Sequence, residues 1–243
     1  MNKRLYQGGC SFLQSPDVIV DTCLSDTFSG WTNINNCMGG SSNPQIFRKA
    51  LFSILNNDFD FVLIGWSQPW RNDTVLDVFE ENIEYRNNLK YETELSILNS
   101  SFYYTPVIPT TQPNCFMEPQ GTDTQIMNTI ILHKLLKNRN IPHLFVSMGD
   151  QLIQTIQYRC GWLKHIDPKN YFGEGDMVDK MSFSVINYFS KIHKETFGDD
   201  YLKDWTYHNN QTNIRDNAMH LSDKGMKNLA KMLQKHIEDN GLL

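Results

Sequence analysis

The chain has 243 residues, of which 40% are hydrophobic and 20% are charged, and its formal net charge at pH 7 is −5. This composition is typical of a folded globular protein, and its mild acidity argues against a nucleic-acid binder, which must neutralise phosphates. No apolar run approaches the roughly 18 residues that a membrane helix needs, so we expect no membrane association.

Short strands and helices alternate in the first part of the chain. Residues 3–9 predict a strand that ends in a glycine turn, and residues 32–36 alternate weakly as a second strand. A helix begins near Asn43, which can cap it, with Pro44 at the first helical position. The apolar run at 59–65 then predicts a strand buried on both faces, as in a parallel sheet.

The second part of the chain has longer elements. Residues 73–98 predict a long charged helix, and residues 104–122, which carry three closely spaced prolines, predict a loop. The pattern then predicts a helix at 124–139, a strand at 141–147, an irregular stretch at 160–176, a helix at 177–196 and a final helix from Ser222 to about Asp239.

This alternation indicates an α/β fold, a three-layer α/β/α sandwich around a mostly parallel sheet. We expect one domain over residues 1–243, with irregular insertions near 99–122 and 160–176. Ligands of such sheets bind beyond the carboxyl ends of the strands. The residues that directly follow strands are therefore the first candidates for a site.

Two glycine-containing motifs follow the first two strands. The first motif is Gly8–Phe12 (GGCSF), in which Ser11 would lie near a helix amino terminus, where backbone N–H groups favour an oxyanion. The second motif is Asn35–Asn43 (NNCMGGSSN), in which the backbone N–H of Gly40 can serve the same oxyanion. Each motif taken alone is more often a plain strand-to-helix connection.

The third motif, Gly65–Arg71 (GWSQPWR), follows the third strand and carries two tryptophans among polar donors. Trp66 and Trp70 can stack on a sugar ring, and Arg71 can hold an anionic group. The alternative is that these tryptophans close the edge of the hydrophobic core.

The fourth motif is Asp216–Gly225 (DNAMHLSDKG), which places His220 on a loop directly before the final helix. The acidic and amide side chains before this histidine, Asp216 and Asn217, can hold its ring in one tautomer, as a general base requires. The six other histidines lack such a setting.

In this order, the four motifs resemble those of the SGNH (GDSL-type) hydrolase family, and most closely its divergent members, often phage-encoded, with G-C-S-F and G-W-[ST] motifs. The resemblance implies a flavodoxin-like sandwich, Ser11 as nucleophile and His220 as general base. It also implies oxyanion donors at Ser11, Gly40 and the third motif.

Three positions depart from the family pattern. Cys10 replaces the usual Asp before the nucleophile and leaves Ser11 in register. The usual Asn of the third motif falls on Ser67, so either its hydroxyl or the Gln68 amide would donate. Asn217 stands where the family has an Asp three residues before the histidine. The ring would therefore be oriented either by Asn217 or by Asp216, which would reach it through an altered turn.

We therefore expect a serine esterase or deacetylase that acts on an O-acyl ester, such as an acylated carbohydrate, through a Ser–His site. The alternative is a binding or structural protein, for instance a virion component, that kept the fold and lost the activity. A nucleotide or flavin binder is disfavoured because no phosphate-cradling glycine loop with a lysine appears. Cys10 as the nucleophile is a further alternative.

The five cysteines, at 10, 23, 37, 115 and 160, are scattered and contain no C-x-x-C pair. We therefore expect neither a disulfide framework nor a zinc site, and no cofactor. The amino terminus has too short an apolar region for a secretory signal, so we expect a cytoplasmic protein, or a virion-associated one if the source is viral. The sequence does not indicate the oligomeric state.

Overall fold

The computed structural model of the chain describes residues 3–10, 13, 30–37, 41–69, 73–77, 102–106, 117–149, 151–189, 206–207, 220–221 and 223–243. None of the helices in these ranges is long and apolar enough to cross a membrane.

Four parallel strands form the central sheet in the order β2-β1-β3-β6. These strands are β1 (Arg4–Gly8), β2 (Thr32–Asn35), β3 (Phe61–Trp66) and β6 (His143–Ser147). All four lie where the sequence predicts strands. Every residue of β3 and β6 is buried, as the apolar residues of β3 and the apolar centre of β6, 144–146, predict.

The helices begin and end as follows: α1 Asn43–Asn56, α2 Met117–Asn138, α3 Ile153–Tyr158, α4 Cys160–Leu163, α5 Met177–Ser182 and α6 Asp223–Asp239. A short 3-10 helix covers Pro168–Asn170, and residues 185–189 are helical. The predicted helices at 124–139 and 222–239 are confirmed, although α2 begins seven residues earlier than predicted.

Helices lie on both faces of the sheet. The connections β2–α1–β3 and β3–α2–β6 run across the sheet in the same direction, so right-handed crossovers put α1 and α2 on one face. The two helices accordingly pack against each other. The opposite face is buried as well, and the apolar side of α6 joins the same core through Leu229, Leu233 and Ile237. The α/β sandwich with a parallel, flavodoxin-like sheet is confirmed.

A small antiparallel sheet replaces part of a predicted helix and part of a predicted loop. Strand β4 (Asp73–Asp77) pairs with β5 (Phe102–Pro106), with Asp73 opposite Pro106. The prediction of helix is therefore wrong at 73–77, and the prediction of loop is wrong at 104–106 and from 117 onward. The reason is non-local, because a five-residue strand needs its partner, here 25 residues or more away, to satisfy its backbone groups.

The region at 160–176 is less irregular than predicted. It contains α4 and the 3-10 helix, and Tyr171 then forms a parallel bridge to Phe145 at the edge of the sheet. The predicted helix at 177–196 is interrupted, because α5 ends at Ser182 and helical geometry resumes only at 185. Residues 190–196 of that prediction lie outside the described ranges.

Candidate active site

The described parts of the first three motifs lie at one edge of the sheet. Gln7 is in register with Asn35 on β2, and Gly8 with Ile64 on β3, so the three strands end at about the same level. Because the strands are parallel and adjacent, the segments that follow them leave the sheet side by side. In doubly wound sheets, ligands bind beyond the carboxyl ends of the strands, which is this edge.

The end of the first motif is only partly described. Cys10 is completely buried and belongs to the hydrophobic core, which disfavours it as a nucleophile that must meet a substrate. Cys37, after β2, lies close enough to Cys10 to interact electrostatically, and its burial raises the pKa of its thiol far above the usual value. The predicted residues Ser11 and Gly40 lie outside the described ranges.

Trp66 is a core residue. Its side chain is completely buried, and its ring stacks on that of Phe145 with 6.2 Å between centroids and 11° between planes. The prediction that it stacks on a sugar therefore gives way to the alternative that it belongs to the core, because a ring enclosed in the core offers no face to a ligand. Trp70 and Arg71 lie outside the described ranges.

Both backbone groups of Ser67, its N–H and its carbonyl oxygen, are hydrogen-bonded to side chains of other residues. Its N–H donates to Asn43 Oδ1 at 2.7 Å, and its carbonyl oxygen accepts from Asn43 Nδ2 at 3.3 Å and from Gln151 Nε2 at 3.0 Å. The residue is completely buried, yet its hydroxyl has no hydrogen-bond partner in the described structure. A buried hydroxyl without a partner costs about 1–3 kcal/mol, so an accepting ligand atom would recover that energy.

Gln68, the other predicted donor of the third motif, is half-buried. Its side chain packs tightly on Gly149, where an added Cβ would collide with Gln68 Cγ. The Gln68 side chain thus has a fixed packing partner beside the carboxyl end of β6, whereas the Ser67 hydroxyl is left unused.

Asn43 contacts Ser67, whereas the sequence predicts it as the cap of α1. The helix cap is one residue earlier, at Ser42, whose side chain accepts a hydrogen bond from the Gln45 N–H at 3.2 Å. The prediction of Asn43 as the cap is therefore wrong, and its amide contacts Ser67 instead. Ser and Asn cap helices about equally well, so the sequence does not distinguish the two registers.

A buried hydrogen-bond network extends from Asn43 into the core. Asn43 Nδ2 donates to Gln125 Oε1 at 2.9 Å, and Gln125 Nε2 donates to Tyr171 Oη at 3.1 Å. The hydroxyls of Tyr171 and Ser147 lie 2.7 Å apart. Burial raises the pKa of Tyr171, so its hydroxyl stays neutral and available for these bonds. The network joins α1, α2 and β6 beneath the carboxyl edge of the sheet.

His220 belongs to a two-residue strand, not to the predicted loop. Strand β8 (His220–Leu221) pairs antiparallel with β7 (Thr206–Tyr207), with His220 opposite Tyr207. The predicted position directly before the final helix is confirmed, since α6 begins at Asp223. Asp216 and Asn217 lie outside the described ranges. In the part of the chain that the structure describes, no three His, Cys, Asp or Glu side chains come together as metal ligands.

Comparison with known proteins gives structural matches of low sequence identity. No family model and no curated protein matches the chain. Solved structures similar to it include a GDSL-like lipase from Bacteroides thetaiotaomicron (12% identity, TM-score 0.40, covering 98% of this chain and 88% of the other). They also include an acetyl xylan esterase (12%, 0.38, 96% and 99%) and a psychrotrophic esterase from Pseudoalteromonas sp. (13%, 0.40, 98% and 98%). With identities this low and TM-scores under 0.5, the chemistry of this chain has to be argued from its own residues.

Proposed function

We propose that this chain is a serine esterase of the SGNH type, which hydrolyses an O-acyl ester. The observation that carries the proposal is the arrangement of the sheet. Three neighbouring parallel strands each end in one of the motifs, and the fourth motif directly precedes the final helix. Catalytic residues of α/β enzymes collect at this edge because every strand delivers its next loop there.

The proposed reaction proceeds through an acyl-enzyme. His220 accepts the proton of the Ser11 hydroxyl while Ser11 Oγ attacks the ester carbonyl, and the N–H groups of Ser11 and Gly40 stabilise the oxyanion. The Ser67 hydroxyl is the third donor. The protonated histidine then returns its proton to the leaving alcohol, and a water molecule releases the acid by the same steps in reverse order.

The preference for an acylated carbohydrate rests on the remaining side chains of the third motif. With Trp66 in the core, Trp70 is the aromatic residue that would stack on a sugar, and Arg71 would hold an anionic group. The choice between Asp216 and Asn217 as the residue that orients His220 belongs to the same proposal.

A second candidate function is a binding or structural protein that has kept the fold without the activity. The observation that favours it is the complete burial of Ser67, at the position of the family's third-motif asparagine. If no substrate atom reaches this hydroxyl, it contributes nothing to catalysis, and loss of one oxyanion donor costs on the order of 10²–10³ in rate.

Turnover of p-nitrophenyl acetate and of acetylated sugars distinguishes the two functions. We expect Ser11→Ala and His220→Ala each to lower kcat by at least about 10³-fold. Replacement of the exposed His165 by Ala is the matched control and should leave kcat unchanged. Wild-type turnover no faster than that of the Ser11 variant would refute the esterase and leave the binding protein.

A further pair of variants identifies the residue that orients His220. Asp216→Ala and Asn217→Ala should differ in kcat, because only the side chain that contacts the ring stabilises its tautomer. Equal rates in both variants would mean that neither residue orients the ring.

A further inference from the structure

The structure assigns Asn43 as a positioning residue for the third motif: it holds the backbone of Ser67 so that the Ser67 hydroxyl, not its N–H, is the group presented for donation. The inference rests on the proposed function, since it names the donor of the same site. It is drawn from the two hydrogen bonds between the Asn43 amide and the Ser67 backbone, at 2.7 and 3.3 Å.

We call the two hydrogen bonds between the Asn43 side chain and the Ser67 backbone the clamp. Both ends of one amide side chain contact both backbone groups of one residue, in the manner of a strand-to-strand pair. Ser67 directly follows β3 and has no ladder partner among the described strands, although Met148 N–H still donates to Trp66 O beside it at 2.9 Å. Asn43 therefore provides the fixed support for the first residue beyond the sheet.

The backbone of Ser67 determines the orientation of the Asn43 amide. The Ser67 N–H can only donate and its carbonyl oxygen can only accept, so Asn43 Oδ1 faces the N–H and Asn43 Nδ2 faces the oxygen. Asn43 Nδ2 also donates to Gln125 Oε1, which leaves Gln125 Nε2 to donate to Tyr171 Oη. A flipped Asn43 amide would oppose donor to donor and acceptor to acceptor at Ser67, and acceptor to acceptor at Gln125, which costs three buried hydrogen bonds.

Two consequences follow for Ser67. Its N–H is occupied by Asn43 and cannot stabilise an oxyanion, whereas its hydroxyl is buried and unpartnered within the described ranges. A hydroxyl that is already desolvated and held in place by its backbone needs little reorganisation to stabilise a developing negative charge. This distinguishes Ser67 from Gln68 as the third donor and explains how serine serves at a position where the family has asparagine.

Two measurements on Asn43→Ala test the inference, one of them independent of activity. Amide hydrogen exchange reports directly on the Ser67 N–H, which should lose at least about tenfold in protection when its acceptor is removed. Steady-state kinetics with p-nitrophenyl acetate should show kcat reduced by about 10-fold or more with KM nearly unchanged, since the affected interaction forms in the transition state.

Asn170→Ala is the matched control. Asn170 is a buried asparagine that donates to His143 O at 2.7 Å, at the amino end of β6 and therefore at the opposite edge of the sheet. Its replacement removes a comparable buried hydrogen bond and should lower stability alone, leaving the exchange of the Ser67 amide and kcat as in the wild type. If Asn43→Ala does not fold, Asn43→Leu, which is closer in volume to asparagine and also removes the acceptor of the Ser67 N–H, serves in its place with the same expected signs.

The outcomes separate the two proposals. Unchanged protection of the Ser67 amide in Asn43→Ala or Asn43→Leu overturns the clamp, whatever the activity. Loss of protection with wild-type kcat overturns the catalytic part, as does wild-type kcat in Ser67→Ala. Absence of turnover in the wild-type protein overturns the proposed esterase, and the exchange of the Ser67 amide still decides whether Asn43 holds the third motif.

Discussion

Acid should destabilise this protein through a pair of buried histidines. His133 on α2 and His143 on β6 are nearly inaccessible, with 2% and 3% exposure, and His133 Nδ1 lies 2.8 Å from His143 Nε2. His143 Nδ1 contacts Ile141 O at 2.8 Å, and Asp167 N–H donates to His133 Nε2 at 3.3 Å. Each nitrogen therefore has one role, and both rings are neutral.

Burial lowers the pKa of both histidines, from about 6.5 to about 4. The unfolded chain thus binds more protons than the folded one between these values. The stability that the neutral pair contributes is complete above pH 6.5 and is lost as the pH falls toward 4. Between pH 7.5 and pH 5, one such histidine lowers the free energy of unfolding by about 2 kcal/mol and the pair lowers it by up to about 4 kcal/mol. This is a large share of the total free energy of unfolding of a typical protein, which is roughly 5–15 kcal/mol.

Urea unfolding at several pH values between 7.5 and 5 measures this loss. The double variant His133→Gln/His143→Gln cannot titrate at these positions, so its free energy of unfolding should fall by about 2–4 kcal/mol less than that of the wild type. His165→Gln, at an exposed position, is the matched control and should follow the wild type. Parallel pH profiles for the wild type and the double variant would refute the reasoning.

Three further predictions concern packing, capping and thiol reactivity. Gly121→Ala on α2 should lower the free energy of unfolding by about 1–3 kcal/mol, because its Cβ would collide with the backbone carbonyl of Pro69, and thermal unfolding checks it. Asp176→Ala should cost about 1 kcal/mol in urea unfolding, because its carboxylate accepts from two N–H groups that begin α5. Peptide-mapped alkylation at pH 7.5 should label the exposed Cys160 well before Cys37, whose pKa is raised by burial.

Each of these predictions has a contrary result. A Gly121→Ala variant as stable as the wild type would mean that the turn at Pro69 moves without cost. An Asp176→Ala variant with unchanged urea midpoint would show that the capping box contributes nothing measurable. Equal alkylation of Cys37 and Cys160 would mean that the thiol after β2 is open to solvent.

The sequence by itself determines the central sheet, because its signals are local. The short apolar runs at 61–66 and 144–146 are typical of strands that are buried on both faces, as in a sheet covered on both sides. The apolar stripe of α6 likewise predicts its buried side, on which Leu229 and Leu233 lie. From these elements the order of the motifs, and their place at the carboxyl ends of strands, follows without the structure.

Tertiary structure decides which partner each polar or aromatic side chain meets. Trp66 is a residue type that can stack on a sugar ring, but the alternation of side chains along β3 places it against Phe145 in the core. Asn43 is a residue type that caps helices, but the cap is Ser42, and the Asn43 amide contacts Ser67 instead. His133 and His143 show no pattern in the sequence, and they form a neutral pair because α2 packs on β6 and excludes water from both rings. In each case the contact joins residues from different elements, and its energy depends on burial, which no local pattern encodes.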